Sequence, residues 1–346
     1  MKNKLSKSKI LEPRYPNRST ALFGGEASGI LNWNDIPYPH FYTLRDMIRA
    51  QFWIANEVDM TSDVNQFPTL TSQEQNAFLK IIGLLASLDS SQTDLAFKIS
   101  EYTTDPSVSA IMATIADQET EHNHSYAYVL SSVTDLAGQK ASFESALKDP
   151  VILKRNEPIV KVYNEFADNP TIETVLNAMV YTSLLEGLFF YSGFTYFYNL
   201  ARNNKMVGTS TMISYINRDE MHHALFITEL YRATLGEHPE LNSEKRANWV
   251  YEQYRAGVEN EIEWSRYLLD EIEGIDLTEM EGYIKYRANK CLRLLGLSDL
   301  YPEHVNNPMK WVRAYIDSFD DTKTDFFEQK SRSYTKTSGL NEFDDL

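Results

Sequence analysis

The sequence has little of several residue types that particular classes of protein require. It contains one cysteine, Cys291, which excludes a disulfide within the chain and any zinc or iron–sulfur site held by several cysteines. A single thiol is typical of the reducing cytoplasm, where we expect this protein to act. Glycine and proline are also sparse, at 14 and 12 of 346 residues, which favours long helices over a turn-rich β architecture.

Positive charge is scarce as well. Lys and Arg total 33 against 49 Asp and Glu, a formal charge of −16. Because nucleic-acid affinity comes largely from basic side chains on phosphates, we expect no nucleic-acid partner. The basic amino terminus lacks the apolar stretch of a secretory signal. Residues 174–200 are long and apolar enough to resemble a membrane span, but Glu186 in the middle favours a buried bundle helix, and we expect no membrane association.

Helix signals recur along the whole chain. Thr71 and Glu74 have capping-box spacing, and Asp105-Pro106 and Asn169-Pro170 each pair a good N-cap with proline at the first helical position. Glycines such as Gly138 and Gly296 are predicted to end helices. These signals predict an all-α fold with helices near 41–58, 72–101, 106–135, 170–203, 209–235, 243–273 and 278–295. We expect one helical domain over 1–320, followed by a polar, flexible tail over 321–346.

Four of these helices carry ionisable residues on their apolar, core-facing seam. Four carboxylates cannot be neutralised by two imidazoles, whereas two divalent cations would neutralise them, and this donor set suits iron or manganese. A lone carboxylate from each of two helices plus Glu-x-x-His from each of two others is the di-metal pattern of ferritin-like four-helix bundles. The six residues are Asp89, Glu119, His122, Glu186, Glu220 and His223.

Similar spacings elsewhere indicate other roles. Glu121 and His124 also form Glu-x-x-His, but they share the polar side of their helix, which is typical of a solvated surface pair. Asp219 and His222 flank the apolar seam instead of lying on it. Tyr126 follows His122 by one turn, so it is either a core tyrosine with a satisfied hydroxyl or a one-electron donor beside the metals. Aromatic and aliphatic residues expected to wall a dry pocket around it are Phe190, Phe194 and Ile216.

From about Trp53 to the carboxy terminus, the chain resembles the small (beta, radical-generating) subunit of class I ribonucleotide reductase. The motifs that carry the resemblance are Gln51-Phe52-Trp53, Leu88-Asp89-Ser90, Glu119-Thr120-Glu121-His122 with Tyr126, Leu185-Glu186-Gly187 and Arg218-Asp219-Glu220-Met221-His222-His223. The resemblance implies one metal held by Asp89, Glu119 and His122 and a second held by Glu186, Glu220 and His223.

The resemblance also implies a radical function and a set of partners. Tyr126 would lose an electron and a proton to the metal centre, and the oxidising equivalent would pass through Asp219 and Trp53, and through Tyr334 in the tail, to a large catalytic subunit that reduces ribonucleotides. The tail would dock on that subunit, with Phe343 and Leu346 as apolar anchors. The family further implies a homodimer, a flavoprotein activator in some subclasses, a centre of two Fe, two Mn or one of each, and a radical on tyrosine or on the metals.

Three other interpretations fit parts of the pattern. A di-metal oxidase, monooxygenase or desaturase would use the same ligands directly on an organic substrate, and Trp53, Tyr126 and Tyr334 would then be incidental. A ferritin-like metal store needs fewer helices and no tail. A helical adaptor with buried polar pairs leaves four core carboxylates unexplained. Taken alone, Trp53 is also consistent with core packing, and Asp219 with orienting a ligand histidine.

Overall fold

The fold is all-α over the residues that the structure, a computed structural model, describes, which are 4–316. Short 3₁₀ turns lie at Ala55–Glu57, Phe67–Thr69 and Lys310–Ala314. The α-helices are α1 His40–Ala50, α2 Thr61–Gln66, α3 Ser72–Tyr102, α4 Pro106–Val133, α5 Leu136–Lys148, α6 Pro150–Asp168, α7 Ile172–Leu184, α8 Phe190–Arg202, α9 Val207–Glu237, α10 Glu244–Leu269 and α11 Leu277–Leu294.

Capping residues fix where the two longest N-terminal helices begin. The Thr71 hydroxyl accepts from the backbone N–H of Glu74, whose carboxylate accepts from the N–H of Thr71, so the capping box at α3 is confirmed. Asp105 caps α4 by accepting from the N–H of Ser107 at 2.8 Å. The prediction for Asn169-Pro170 is wrong: Thr171 is the N-cap of α7, and Asn169 is the C-cap residue that follows α6.

A four-helix bundle forms the centre of the molecule. α3 packs along α4, and α9 packs against α7, α8 and α4. The facing seams are mostly apolar, and their side chains are almost fully buried. The remaining long helices cover this bundle: α1 lies on α4 and α9, α5 on α3, and α10 and α11 against the C-terminal half. The arrangement confirms the ferritin-like bundle with additional helices.

Several helices differ from the sequence prediction. The first helix ends at Ala50 and does not continue to residue 58, because Ile54 is extended and a 3₁₀ turn follows it. Two helices, α5 and α6, occupy a stretch for which no helix was predicted. Gly138 does not end a helix but lies in the first turn of α5, where its N–H donates to the N-cap Asp135. The expected stop at Gly296 is confirmed, with φ of +83° just after α11.

The helix predicted over 170–203 is interrupted at its centre. Leu185–Phe189 is a π-helical turn that joins α7 to α8, and it carries Glu186. Such turns are rare and are found mostly at functional sites. The interruption therefore lies where one of the predicted metal ligands is presented.

The segment before α1 crosses the ends of several bundle helices without regular structure of its own. The N–H of Leu5 donates to the Pro170 carbonyl, and the N–H of Thr104 donates to the Leu22 carbonyl. Leu22 in turn donates to the Glu237 carboxylate at the end of α9. This strap links α3, α4, α7 and α9 at one end of the bundle.

Within residues 4–316, no helix is both long enough and apolar enough to cross a lipid bilayer. The apolar stretch over residues 174–200 is instead enclosed by other helices, and nearly all of its side chains are buried.

Candidate metal centre

The six residues predicted as ligands converge at the middle of the bundle. Each has at most 1% of its surface exposed. Asp89 comes from α3, Glu119 and His122 from α4, Glu186 from the π turn, and Glu220 and His223 from α9. The Glu-x-x-His spacing turns both side chains of each pair to the same side of the helix. Four separate helices therefore supply one compact set of oxygen and nitrogen atoms.

These side chains form two overlapping clusters, which we name by their histidines. The ligand atoms of each cluster lie within 4.8 Å of one another. Two carboxylates belong to both. The His122 cluster consists of Asp89, Glu119, His122 and Glu220, and the His223 cluster consists of Glu119, Glu186, Glu220 and His223.

The shared carboxylates turn one oxygen towards each histidine. Glu119 places Oε2 3.4 Å from His122 Nδ1 and Oε1 3.1 Å from His223 Nδ1. Glu220 places Oε1 3.1 Å from His122 Nδ1 and Oε2 3.1 Å from His223 Nδ1. Either carboxylate would therefore be able to contribute to both halves of a metal centre held here. The sequence analysis had assigned each of these residues to one site, whereas the structure brings both next to both histidines.

Unsatisfied buried atoms test whether cations fit here. Within the described part of the chain, neither carboxylate oxygen of Asp89 nor of Glu119 has a hydrogen-bond partner of normal geometry, and the same holds for Glu186 Oε2, Glu220 Oε1 and His122 Nδ1. Buried charged groups left in this state are costly unless they are paired or bind a metal. Carboxylate oxygens and imidazole nitrogens are suited to iron and manganese. The donor set therefore fits two divalent cations.

Four groups of the cluster have pKa values above their usual range. Burial raises the pKa of Asp89 and Glu186 well above the usual values, helped by the neighbouring Glu119 and Glu220. Burial alone would lower the pKa of His122, but hydrogen bonds to Asp219 and Glu119 outweigh it and raise that pKa. The pKa of His223 is raised in the same way. Cations binding here would replace protons on these groups.

Each histidine uses its outer nitrogen for support. His122 Nε2 lies 3.2 Å from Asp219 Oδ2, and His223 Nε2 lies 2.8 Å from Gln118 Oε1. Such partners fix each ring so that Nδ1 faces the shared carboxylates. Gln118 was not predicted. Another supporting residue whose role was not predicted is Gln92, which donates from its amide to Glu186 and accepts from the Tyr163 hydroxyl.

Trp53 is tied to the His122 side of the centre. Its Nε1 donates to Asp219 Oδ2 at 2.7 Å, the same oxygen that faces His122. The indole also stacks on the His122 imidazole, with 6.1 Å between centroids and 19° between planes. Trp53 is 7% exposed, which makes it the most exposed of these three residues. A continuous hydrogen-bonded path thus connects Trp53 to the predicted ligands.

Tyr126 lies beside the same cluster and is shielded from water. Its side chain is 1% exposed, and its hydroxyl makes no hydrogen bond of normal geometry to residues 4–316. Burial raises its pKa well above the usual value, and the nearby Asp89 and Glu220 carboxylates raise it further. The predicted wall residues Phe190, Phe194 and Ile216 are all fully buried.

A small apolar cavity touches the centre on the His223 side. It has a volume of about 10 Å³ and is bounded by Glu186, His223 and aliphatic side chains such as Leu95 and Ile227. This is about the space that one water requires. The cavity admits a very small molecule but not an organic substrate.

The remaining predicted residues are placed as follows. Glu121 and His124 lie 3.4 Å apart, with His124 about half exposed, as expected of a surface pair. Glu121 also accepts from the Ala55 N–H and so holds the loop that carries Trp53. Asp219 was expected to flank the seam and either to orient a ligand histidine or to carry the radical; it is 1% exposed and lies against His122. Tyr334, Phe343, Leu346 and the tail over 321–346 lie outside the described residues.

Comparison with known proteins gives a consistent assignment. Residues 30–308 match the family model for the ribonucleotide reductase small chain. The chain is 49% identical, over 99% of both sequences, to a ribonucleoside-diphosphate reductase subunit beta of Halalkalibacterium halodurans.

Solved structures agree with this match. A putative class I ribonucleotide reductase from Bacillus halodurans superposes with a TM-score of 0.84 and 48% identity, covering 89% of this chain and 99% of the other. The dimanganese(II)-NrdF of Streptococcus sanguinis superposes with a TM-score of 0.74 and 26% identity, covering 83% of this chain and 99% of the other. The buried carboxylate–histidine cluster corresponds to a dinuclear metal centre, and the chain belongs to the small-subunit family of class I ribonucleotide reductase.

Proposed function

We propose that Asp89, Glu119, His122, Glu186, Glu220 and His223 hold two metal ions with which this chain generates the radical used by a ribonucleoside-diphosphate reductase. The chain is the beta-type subunit of an oxidoreductase that acts with a large subunit. The observation that carries the ligand assignment is the pair of overlapping clusters joined by Glu119 and Glu220. Two Fe, two Mn or one of each satisfy this donor set.

When bound, the two ions supply one-electron oxidising power in reaction with an oxygen-derived oxidant. The surrounding residues determine where the oxidising equivalent is kept. Tyr126 is proposed to give up one electron and its phenolic proton, and the Asp89 carboxylate beside it is placed to receive that proton. The closed apolar surroundings protect the oxidised phenol from water and stray reductants.

A route for the oxidising equivalent leads from the centre towards the surface. We assign it to His122, Asp219 and Trp53, because these three side chains are joined by contacts of 3.2 Å and 2.7 Å through one carboxylate oxygen. Asp219 contacts both rings and so fixes the position of the His122 imidazole relative to the Trp53 indole. Tyr334 is proposed as the next carrier on the way to the large subunit, and the tail over 321–346 as the segment that docks there.

A homodimer is the proposed assembly of this chain. An apolar groove of about 560 Å³ lies between α3, α5 and α6, where Leu147, Leu153 and Val160 are exposed. Exposed apolar surface of this kind marks interaction sites, and a second copy is the proposed occupant. Leu153→Glu should shift the protein towards monomer in analytical ultracentrifugation, whereas an unchanged dimer would place the interface elsewhere.

Two further expectations accompany the proposal. A cytoplasmic location follows from the single cysteine. A flavoprotein activator stays a prediction, which is tested by whether manganese-loaded protein forms its radical with oxygen alone or needs a reduced flavoprotein.

Reconstitution with a partner tests the function as a whole. Metal-loaded protein is mixed with a class I large subunit and a ribonucleoside diphosphate, and deoxyribonucleotide is measured. We expect turnover that depends on both subunits and is lost with Trp53→Phe. Protein that gives no deoxyribonucleotide with its cognate large subunit, yet oxidises an organic compound alone, would instead be a di-metal oxidase. The small cavity at the centre argues against that alternative.

A further inference from the structure

The π turn at Glu186 exposes backbone carbonyls that side chains then bind. The N–H of Phe190 donates to the Leu185 carbonyl, five residues earlier, in place of the usual four. This wider spacing leaves carbonyls of the turn available to other donors. The Gly187 carbonyl accepts from Nε and Nη2 of Arg287 at 3.0 and 2.9 Å, and the Phe189 carbonyl accepts from Nη2 of Arg155 at 2.5 Å.

The two arginines differ in how their charge is balanced. Arg155 Nε donates to the Glu261 carboxylate at 2.6 Å, and both side chains are buried. Arg287 is 8% exposed, and within residues 4–316 no carboxylate lies within ion-pair distance of it. Its guanidinium lies over the Tyr191 ring, 3.5 Å from the centroid. A buried cation without an anion is costly, so the two-pronged contact with Gly187 is its main polar compensation.

α11 also contacts the α-carbon of the same glycine. A Cβ atom on Gly187 would lie 2.3 Å from Cys291 Sγ, so a side chain at that position would require the sulfur or the backbone of the turn to shift. Arg287 and Cys291 are one helical turn apart, so they lie on the same face of α11. Together they fix the backbone of the residue that directly follows Glu186.

We propose that Arg287 is a positioning residue for the His223 half of the metal centre, holding the π turn so that the Glu186 carboxylate faces His223. Glu186 belongs to the His223 cluster alone, and its Oε2 lies 3.6 Å from His223 Nδ1. The corresponding lone carboxylate of the His122 cluster, Asp89, comes from the uninterrupted helix α3. Loss of Arg287 therefore weakens the binding of one cation and spares the other.

The inference rests on the proposed metal site, and its test measures metal binding directly. Mn²⁺ is titrated anaerobically into the full chain by calorimetry, and electron paramagnetic resonance distinguishes isolated from coupled ions. Wild type should bind two coupled ions. Arg287→Met should bind the first ion within about twofold of wild type and the second at least about tenfold more weakly, the range expected for loss of a supporting contact. Arg287→Lys, which retains a donor, should recover part of this loss.

Arg293→Met is the matched control. It removes an arginine of the same helix that pairs with Asp299 at the surface, and it should bind both ions like wild type. Unchanged affinity for both ions in Arg287→Met would overturn the inference, and so would equal weakening of both, which indicates general destabilisation. Wild type that binds no Mn²⁺ would instead overturn the proposed metal site.

Circular dichroism reports whether Arg287→Met folds. A second variant, at Gly187, tests the inference independently of that result. Gly187→Ala introduces a methyl group against Cys291 Sγ and should cause the same selective loss of one ion. Adding Cys291→Ala removes that sulfur and should restore the second ion. Gly187→Ala that binds two ions with wild-type affinity would contradict the role assigned to the π turn.

Discussion

At the scale of single residues, each histidine of the centre is held between carboxylates on one side and a supporting residue on the other. The supports differ, because Asp219 faces His122 whereas the neutral amide of Gln118 faces His223. The His122 side continues through Asp219 to the Trp53 indole, whereas the Gln118 amide donates to the backbone carbonyl of Ile48. The two halves of the centre share a ligand pattern, but their supporting residues lead to different groups, an aromatic ring in one case and a backbone carbonyl in the other.

Replacing Tyr126 separates radical storage from metal binding. Tyr126→Phe should retain both metals and the fold, because it removes one oxygen atom and leaves the fully buried ring in place. It should abolish the tyrosyl radical signal in electron paramagnetic resonance. Tyr196→Phe, at a buried tyrosine that donates to the Glu74 carbonyl, is the control and should retain the signal. A radical signal that persists in Tyr126→Phe would place the radical on another group.

The protonation of the centre predicts how metal affinity depends on pH. The pKa values of His122, His223, Asp89 and Glu186 are all raised in the metal-free protein, so these groups carry protons that cations must displace. Metal affinity should therefore rise with pH. Calorimetric titrations with Mn²⁺ in two buffers of different ionisation enthalpy should show net proton release at pH 7. Proton uptake, or affinity independent of pH, would contradict this charge balance.

At the scale of helices, the start of α9 depends on another part of the chain. Met206, its N-cap residue, is left-handed with φ of 50° and provides no side-chain cap. Asp63 of α2 takes that role: it is fully buried and accepts from the N–H groups of Gly208 and Thr209 at 3.0 and 2.7 Å, and from the Thr209 hydroxyl. α2 thus anchors the helix that carries Glu220 and His223.

Removing this cap should destabilise the protein measurably. Asp63→Ala leaves donors at the start of α9 unpaired, and the free energy of unfolding should fall by about 2 kcal/mol. Urea denaturation monitored by circular dichroism measures the change. Asp59→Ala serves as the control, because the Asp59 carboxylate accepts from the nearby, exposed Thr61, and the change should cost well under about 1 kcal/mol. Equal, small losses in both variants would contradict the anchoring role of Asp63.

Helices with strong local signals could be predicted from the sequence, and those shaped by tertiary contacts could not. The capping box at Thr71 and the apolar seams sufficed for α3, α4 and α9. α6 was missed although Asp149-Pro150 repeats the signal of Asp105-Pro106. The π turn could not be predicted from the sequence, because it depends on contacts with Arg155, Arg287 and Cys291. These residues are distant from it along the chain and pack against it only in the fold.

The same distinction applies to the metal centre. Periodicity was enough to bring the six predicted residues to one place, because a buried carboxylate at a seam position is unusual. That Glu119 and Glu220 each face both histidines depends on how α4 and α9 pack, which spacing along either helix does not encode. The supporting roles of Gln118 and Gln92 could not be predicted either, since a single neutral polar residue on or beside a seam is common.

At the scale of the whole molecule, the helical body and the tail are predicted to have separate tasks. Deleting residues 321–346 should leave metal loading and formation of the Tyr126 radical unchanged, because all six predicted ligands lie in the bundle. It should weaken binding to the large subunit by at least about tenfold, as expected when a peptide that supplies the main anchors is removed. Surface plasmon resonance against the large subunit measures this. Affinity equal to that of the full chain would exclude the tail as the docking segment.

The account as a whole depends on two cations held between four helices. Anomalous diffraction from crystals of the protein loaded with Mn²⁺ or Fe²⁺, recorded at the absorption edge of the metal, locates such ions without reference to activity. We predict two anomalous peaks, one within the His122 cluster and one within the His223 cluster, with Glu119 and Glu220 between them. A single peak, or none, between these side chains in protein that had been supplied with excess metal would contradict the central claim.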